Sequence, residues 1–136
     1  MQIYKNILVP IDCSPVDDKV IEHIIPLALQ NDSSVMLLHV VHSHTLDEDA
    51  ILYQKAKDAL LKFENILHNN NIKVFTKMLQ GEPEVEILNE IENSDYDLIA
   101  MATHGHSFFK DILYGSVTQI LKHKISIPLL LIKGRD

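Results

Sequence analysis

The sequence predicts an α/β fold, a doubly wound five-stranded parallel sheet with helices on both faces, and three observations carry that expectation. Short apolar runs rich in branched residues alternate with amphipathic stretches of helical period. The alternation repeats along all 136 residues, and strand–helix–strand units of this kind assemble into parallel sheets through right-handed crossovers. The apolar content of 46% is enough to bury one core, so residues 1–136 are expected to form a single domain.

Taken in order, "IYKNILVPID" (Ile3 to Asp12) is a strand buried on both faces that ends at Pro10-Ile11-Asp12. Ser14 is placed to cap the next helix, with Pro15 at its first position and Asp17 and Asp18 in its first turn. Val16, Val20, Ile24, Leu27 and Ala28 follow at helical spacing, and Pro26 should kink or shorten the helix because it cannot bond the carbonyl of Glu22. Val35 to Val41 form the second strand. Thr45 and Glu48 have capping-box spacing, and Leu52, Ala56, Ala59, Leu60, Phe63, Ile66 and Leu67 make one long apolar face that stops at Asn69.

From Ile72 to Leu79 the alternation predicts a strand half exposed at a sheet edge, where Lys73 and Lys77 discourage edge pairing. Gly81 and Pro83 introduce a third short helix carrying Val85, Leu88 and Ile91. "YDLIAMA" is the fourth strand, residues from about Ser116 to His123 the fourth helix, and Pro128 opens the last strand, where its missing N–H is tolerable.

Charge and composition exclude several function classes. The net charge of −7 is spread without a basic block, which argues against a general nucleic-acid surface or an anionic-membrane surface. The longest uncharged apolar stretch falls far short of the roughly 20 residues of a membrane helix. Met1 leads into a strand-like run without a secretory pattern, and Cys13 is the only cysteine, so the expected location is cytoplasmic.

In a doubly wound sheet, ligands bind beyond the carboxyl ends of the strands where the strand order reverses. The loops to inspect are therefore Pro10 to Ser14, Val41 to Thr45, and Ala102 to Ser116. In the last of these, Gly105 and Gly115 lack a Cβ, so backbone N–H groups there can approach phosphate oxygens, and a helix beginning at Ser116 adds its free N–H groups. Lys110, Lys122 and Lys124 make the neighbourhood locally basic. The same residues also fit a plain turn at Gly105, and a helix entry at Gly115 with Ser116 and Gln119 as a capping box.

The chain resembles the universal stress proteins of the UspA family. "NILVPIDCSP" is similar to the family's opening strand and loop, "LLHVV" to its second strand, "GEPEVEILNEIENSDYDLIAMATHG" to its third helix and fourth strand, and "GSVTQILKHKISIPLLLIK" to its ending. The nucleotide-binding branch carries Gly, two residues, Gly, nine residues, Gly, then Ser or Thr. Here Ala102 stands at the first glycine, Gly105 and Gly115 at the others, and Ser116 follows, with every spacing kept. Cys13 stands where the family commonly has another glycine.

The resemblance implies strand order 3-2-1-4-5 and a homodimer through the last strand, Leu129 to Ile132. It implies an adenine nucleotide as ligand, ATP (or ADP or AMP) with Mg²⁺. Asp12 beside Pro10 would contact adenine or ribose, and the backbone of Val41 would meet the adenine edge. The loop leaving Ala102 would hold phosphates through Gly105, Gly115, Ser116 and Val117, with His106 close enough to add charge below about pH 6.5. Function would be that of a stress or signalling module, with slow ATP hydrolysis at most. The alternative is a dimeric interaction protein of the non-nucleotide branch, whose loops bind a protein partner.

Three other constellations are weaker. "THGH" has Thr103 where the His-x-Gly-His signature of nucleotidyltransferases has its first histidine, and it follows the wrong strand. His39, His42 and His44 could hold zinc only if the loop curled back over a strand end. Cys13 beside the cleft could report oxidation if its thiolate were stabilised.

Overall fold

The computed structural model describes residues 3–42, 46–103, 119 and 121–133. The elements run β1 (Asn6–Pro10), α1 (Val16–Asn31), β2 (Ser34–Val41), α2 (Leu46–Asn69), β3 (Lys73–Gln80), α3 (Pro83–Glu92), β4 (Leu98–Thr103) and β5 (Leu129–Lys133). Residues 121–124 are helical and lead towards β5. All pairings are parallel, and the sheet order is β3-β2-β1-β4-β5. The chain therefore winds outward from β1 to β3, crosses back to β4, and reverses direction between β1 and β4.

Alternation along the strands feeds two separate apolar layers. Ile7, Val9 and Ile11 join Val35, Leu37, Ala100, Ala102 and Ile132 beneath Val20, Ile24 and Ala28 of α1 and Phe63 and Leu67 of α2. Leu8, Leu38, Val40, Ile99 and Met101 pack on the opposite face against Ile87 of α3 and Leu121. β1 is fully buried on both faces from Ile7 to Val9, as its unbroken apolar run requires. β3 lies at the edge, with Phe75 about half exposed.

Polar side chains hold the amino ends of the strands in register. The Asp97 carboxylate accepts the N–H groups of Lys5 and Asn6, at 2.8 and 3.1 Å, and so fastens the start of β1 to the approach to β4. Asn31 Oδ1 accepts those of Ile3 and Tyr4. Asp32, at φ 52°, closes α1 in the left-handed region, and its N–H reaches the last carbonyls of the helix.

Two local expectations are corrected. α1 runs through Pro26 from Val16 to Asn31 without ending, because Ile21, Ile24 and Ala28 on both sides of the proline are buried in one core. The Ser14 hydroxyl does not cap α1. It donates instead to Asp12 Oδ1 at 2.5 Å, while the Ser14 carbonyl accepts the N–H of Asp17. On α3, Ile87 and Glu90 are buried, Leu88 and Ile91 pack partly buried against the same layer, and Val85 is half exposed. Glu90 can be buried because Lys77 Nζ and the Tyr96 hydroxyl donate to its two oxygens, at 2.9 and 2.6 Å. Burial works against the charged form of Glu90, but those donors outweigh it and keep the carboxyl below its ordinary range.

Candidate functional site

The sheet opens where its order reverses. The β1–β4 ladder consists of Ile7↔Leu98 and Leu8↔Ile99, although β1 continues to Pro10 and β4 to Thr103. Backbone groups in a strand point alternately to its two neighbours. Ile11 donates to Leu38 of β2, so the preceding residue, Pro10, faces β4. Proline has no N–H to give at that position. Beyond it the chain turns out of the sheet towards α1, while β4 continues along β5 with Ala102↔Ile132 and Thr103↔Lys133. Pro10 and Asp12 stand on one side of the opening, and Ala102 on the other.

The turn that borders the opening is wound around two carboxyl groups. Asp12 Oδ1 accepts both the N–H and the hydroxyl of Ser14, at 3.0 and 2.5 Å. Asp17, reaching back from the first turn of α1, accepts the N–H of Asp12 on Oδ1 at 3.3 Å and that of Cys13 on Oδ2 at 2.8 Å. Cys13 lies between them at φ 65°, a backbone region that penalises any residue with a Cβ. Asp17 is 2% exposed. Burial first, and then the neighbouring Asp12 charge, push its carboxyl far up, to about 8, against the two amide donors that pull it down.

The thiol of Cys13 is held in its protonated form in this setting. Burial and then the charges of Asp17 and Asp12 push it up to about 12, so it is uncharged at neutral pH. Its Sγ lies 3.6 Å from His39 Nδ1. That nitrogen is 2.7 Å from the Ile11 carbonyl, which can only accept, so Nδ1 carries the proton and donates it there. Burial lowers His39 and keeps the ring neutral. The oxidation-sensing role considered for Cys13 has no thiolate to support it.

The expected residues divide as follows. Pro10, Asp12 and Ala102 come together around the opening. Ala102 is 7% exposed, packs with the α1-side core and has no positive φ, so its methyl group matters through the space it fills. Val41 is at the end of β2, but its carbonyl accepts the N–H of Gly81, at 3.0 Å, so its backbone faces β3. Alternation then turns the backbone of Val40 to the β1 side, where β1 has already left the sheet. Gly105, His106, Gly115, Ser116 and Val117 lie outside the described residues. So does His44, and His42 pairs with Glu82 at 3.0 Å.

Among the described residues, no group of three or more His, Cys, Asp or Glu side chains is arranged to hold a metal ion. No described helix is long and apolar enough to cross a membrane. A shallow groove lined by Met36, Phe75, Asp95 and Tyr96 opens at the amino ends of the strands, at the wrong end of the sheet for the switch-point site.

The sequence singles out neither the backbone of Val40 nor the carboxyl of Asp17, whereas Cys13 already stands out as a side chain at a place that would suffer from a positive φ, which the structure gives it. Val40 and Val41 are alike in type, and the hydrogen-bond partner alone separates them. Asp17 reads in sequence as an ordinary acidic residue in a first helical turn.

The universal stress protein family model matches residues 3–133. The universal stress protein MJ0531 of Methanocaldococcus jannaschii is 30% identical, over 96% of this chain and 83% of its own length. The solved structure of MJ0577 from the same organism superposes with a TM-score of 0.83 at 30% identity, covering 98% of each chain. The universal stress protein of Archaeoglobus fulgidus, solved in complex with dAMP, shares the fold with a TM-score of 0.73 at 24% identity, covering 97% of this chain and all of that one. With its sheet order, its opening between β1 and β4, and a family match over almost its whole length, this chain belongs to the universal stress protein family.

Proposed function

We propose that this protein binds an adenine nucleotide at the opening between β1 and β4, with ATP and Mg²⁺ as the physiological form, and acts as a nucleotide-responsive stress or signalling module. The observation that carries this reading is the early end of the β1–β4 ladder, which leaves backbone and the Asp12 carboxylate around a gap at the switch point. Asp12 would accept from ribose hydroxyls. The adenine edge would meet the backbone at Val40 rather than Val41, because Val41 is turned to Gly81.

The described residues fit the nucleoside part of such a ligand. The phosphates and Mg²⁺ are assigned by the signature to Gly105, Gly115, Ser116 and Val117, outside the described residues. The dAMP held by the Archaeoglobus fulgidus protein is the class of ligand this reading expects. A second copy would pair through the exposed edge of β5, where Leu131 is 41% exposed. The competing reading, an interaction module without nucleotide, draws on Ala102 and Cys13, which put side chains where the signature and its flanking loop favour glycine.

The test is titration calorimetry of the purified protein with ATP and Mg²⁺, alongside Ala102→Gly. Binding by the wild type, and tightening by about tenfold or less in the variant, fits a methyl group that crowds the ligand by up to about 1.4 kcal/mol. No heat from either protein at millimolar nucleotide, with no nucleotide carried through purification, would leave the interaction module as the better account.

A further inference from the structure

The most unusual group in the turn is Asp17, a carboxyl group 2% exposed that no contact with ligand requires. Its two oxygens receive the N–H groups of the two residues at the tip of the turn, Asp12 and Cys13. Cys13 has a left-handed backbone that its side chain disfavours, so an interaction outside the residue must hold it there. The 2.8 Å bond from its N–H to Asp17 Oδ2 is that interaction. The same carboxyl fixes the N–H of Asp12, whose side chain is then set by Ser14.

Resting on the nucleotide reading above, we infer that Asp17 is a positioning residue for the site: without touching the ligand, it holds Asp12 and the left-handed Cys13 in the arrangement that receives the nucleoside.

At neutral pH Asp17 does this while protonated: the two amide donors by themselves favour the carboxylate, but burial and the neighbouring Asp12 charge outweigh them. Buried next to the Asp12 carboxylate, it keeps its proton at neutral pH, and a side-chain hydrogen bond with Asp12 favours that state. The groups that face this turn are few among the described residues. Cys13 keeps its proton to about pH 12, and His39 from β2 stays neutral. From α2 the Lys55 ammonium acts on both. Asp18 points away to Lys62. β4 and β5 present Ala100, Ala102 and Ile132 on this face, without charge. Raising the pH through about 8 therefore creates a second carboxylate beside the first, and their repulsion loosens the turn.

The experiment is calorimetry with ATP and Mg²⁺ at pH 7 and pH 9.5 on the wild type, Asp17→Asn and Asp17→Ala. Asparagine keeps the uncharged state and the bond from the Cys13 N–H to its oxygen, but its amide nitrogen cannot accept the long, 3.3 Å bond from the Asp12 N–H. The wild type should weaken at the higher pH by about tenfold more than Asp17→Asn. Comparing the two at each pH cancels the titration of the nucleotide itself. Asp17→Asn should bind at pH 7 within about threefold of the wild type and Asp17→Ala about tenfold more weakly, with far-ultraviolet circular dichroism unchanged in both. Binding retained in full by Asp17→Ala, or parallel pH profiles for the wild type and Asp17→Asn, would overturn this inference alone. A wild type that binds no adenine nucleotide would remove the site and this role with it.

Discussion

Replacing Cys13 tests the physical claim on which the turn depends. At φ 65° an L-residue is worse off than glycine by about 1–2 kcal/mol. Glycine has a more flexible unfolded chain and loses about 0.4–1 kcal/mol on that account. Comparing Cys13→Gly with Cys13→Ala removes the thiol from both sides and leaves these two terms, so the glycine variant should be the more stable by roughly 0.5–1 kcal/mol. At an ordinary strand or helix position the sign is reversed, with alanine ahead by about 0.5–1 kcal/mol. Equilibrium urea unfolding followed by circular dichroism measures the difference, provided both variants unfold with the same slope. An alanine variant as stable as the glycine variant, or more so, would mean that the backbone is not held left-handed here. The role given to the Asp17–Cys13 hydrogen bond would then lose its basis.

Two further outcomes follow from the same structure. With its thiol pushed up to about 12, Cys13 should react with iodoacetamide at pH 8 at least about a hundredfold more slowly than a model peptide thiol, whose ordinary value lies near 8.5; urea should restore the rate, and a native rate within tenfold of the peptide would refute the buried, uncharged thiol. Leu131→Asp on the open edge of β5 should convert a dimer into a folded monomer by light scattering; a wild type that is already monomeric at high concentration would overturn the pairing.

The architecture was legible because burial and period encode it redundantly. Every strand of this sheet is either an unbroken apolar run, as in β1 and β4, or an alternating one, as in β3, and the order of runs and amphipathic stretches leaves a parallel sheet as the consistent arrangement. Strand order itself came from resemblance, not from the pattern. Burial at α3 was harder to read, because Glu90 takes a core position that hydrophobicity assigns to an apolar side chain. What permits it is a lysine from β3 and a tyrosine from the loop before β4, partners separated from it in sequence and brought together only by the fold. Pro26 misled as to length for a related reason: local propensity argued for a kinked or shortened helix, and the core on both sides of the proline carries the helix on to Asn31.

The candidate site follows a different logic from the core: topology marks where to look for it, while side-chain type says little about which groups line it. Position needs only topology: β1 is the strand from which the chain winds both ways, so its carboxyl end must face a gap on one side. Pro10 widens that gap by withholding a donor on the β4 side, a consequence computable from one backbone partner, Leu38. Which residue then offers its backbone depends on parity along β2, and one hydrogen bond, Gly81 to Val41, selects Val40 over its neighbour. A carboxyl group five residues past Asp12 closes the turn from inside, in a place where helix-start acids are common and uninformative. Each of these choices is made by a hydrogen-bond direction, to which side-chain type is blind. A turn of this kind can therefore be set by a residue that need never face a ligand, as the buried Asp17 carboxyl sets the backbone of Asp12 and Cys13.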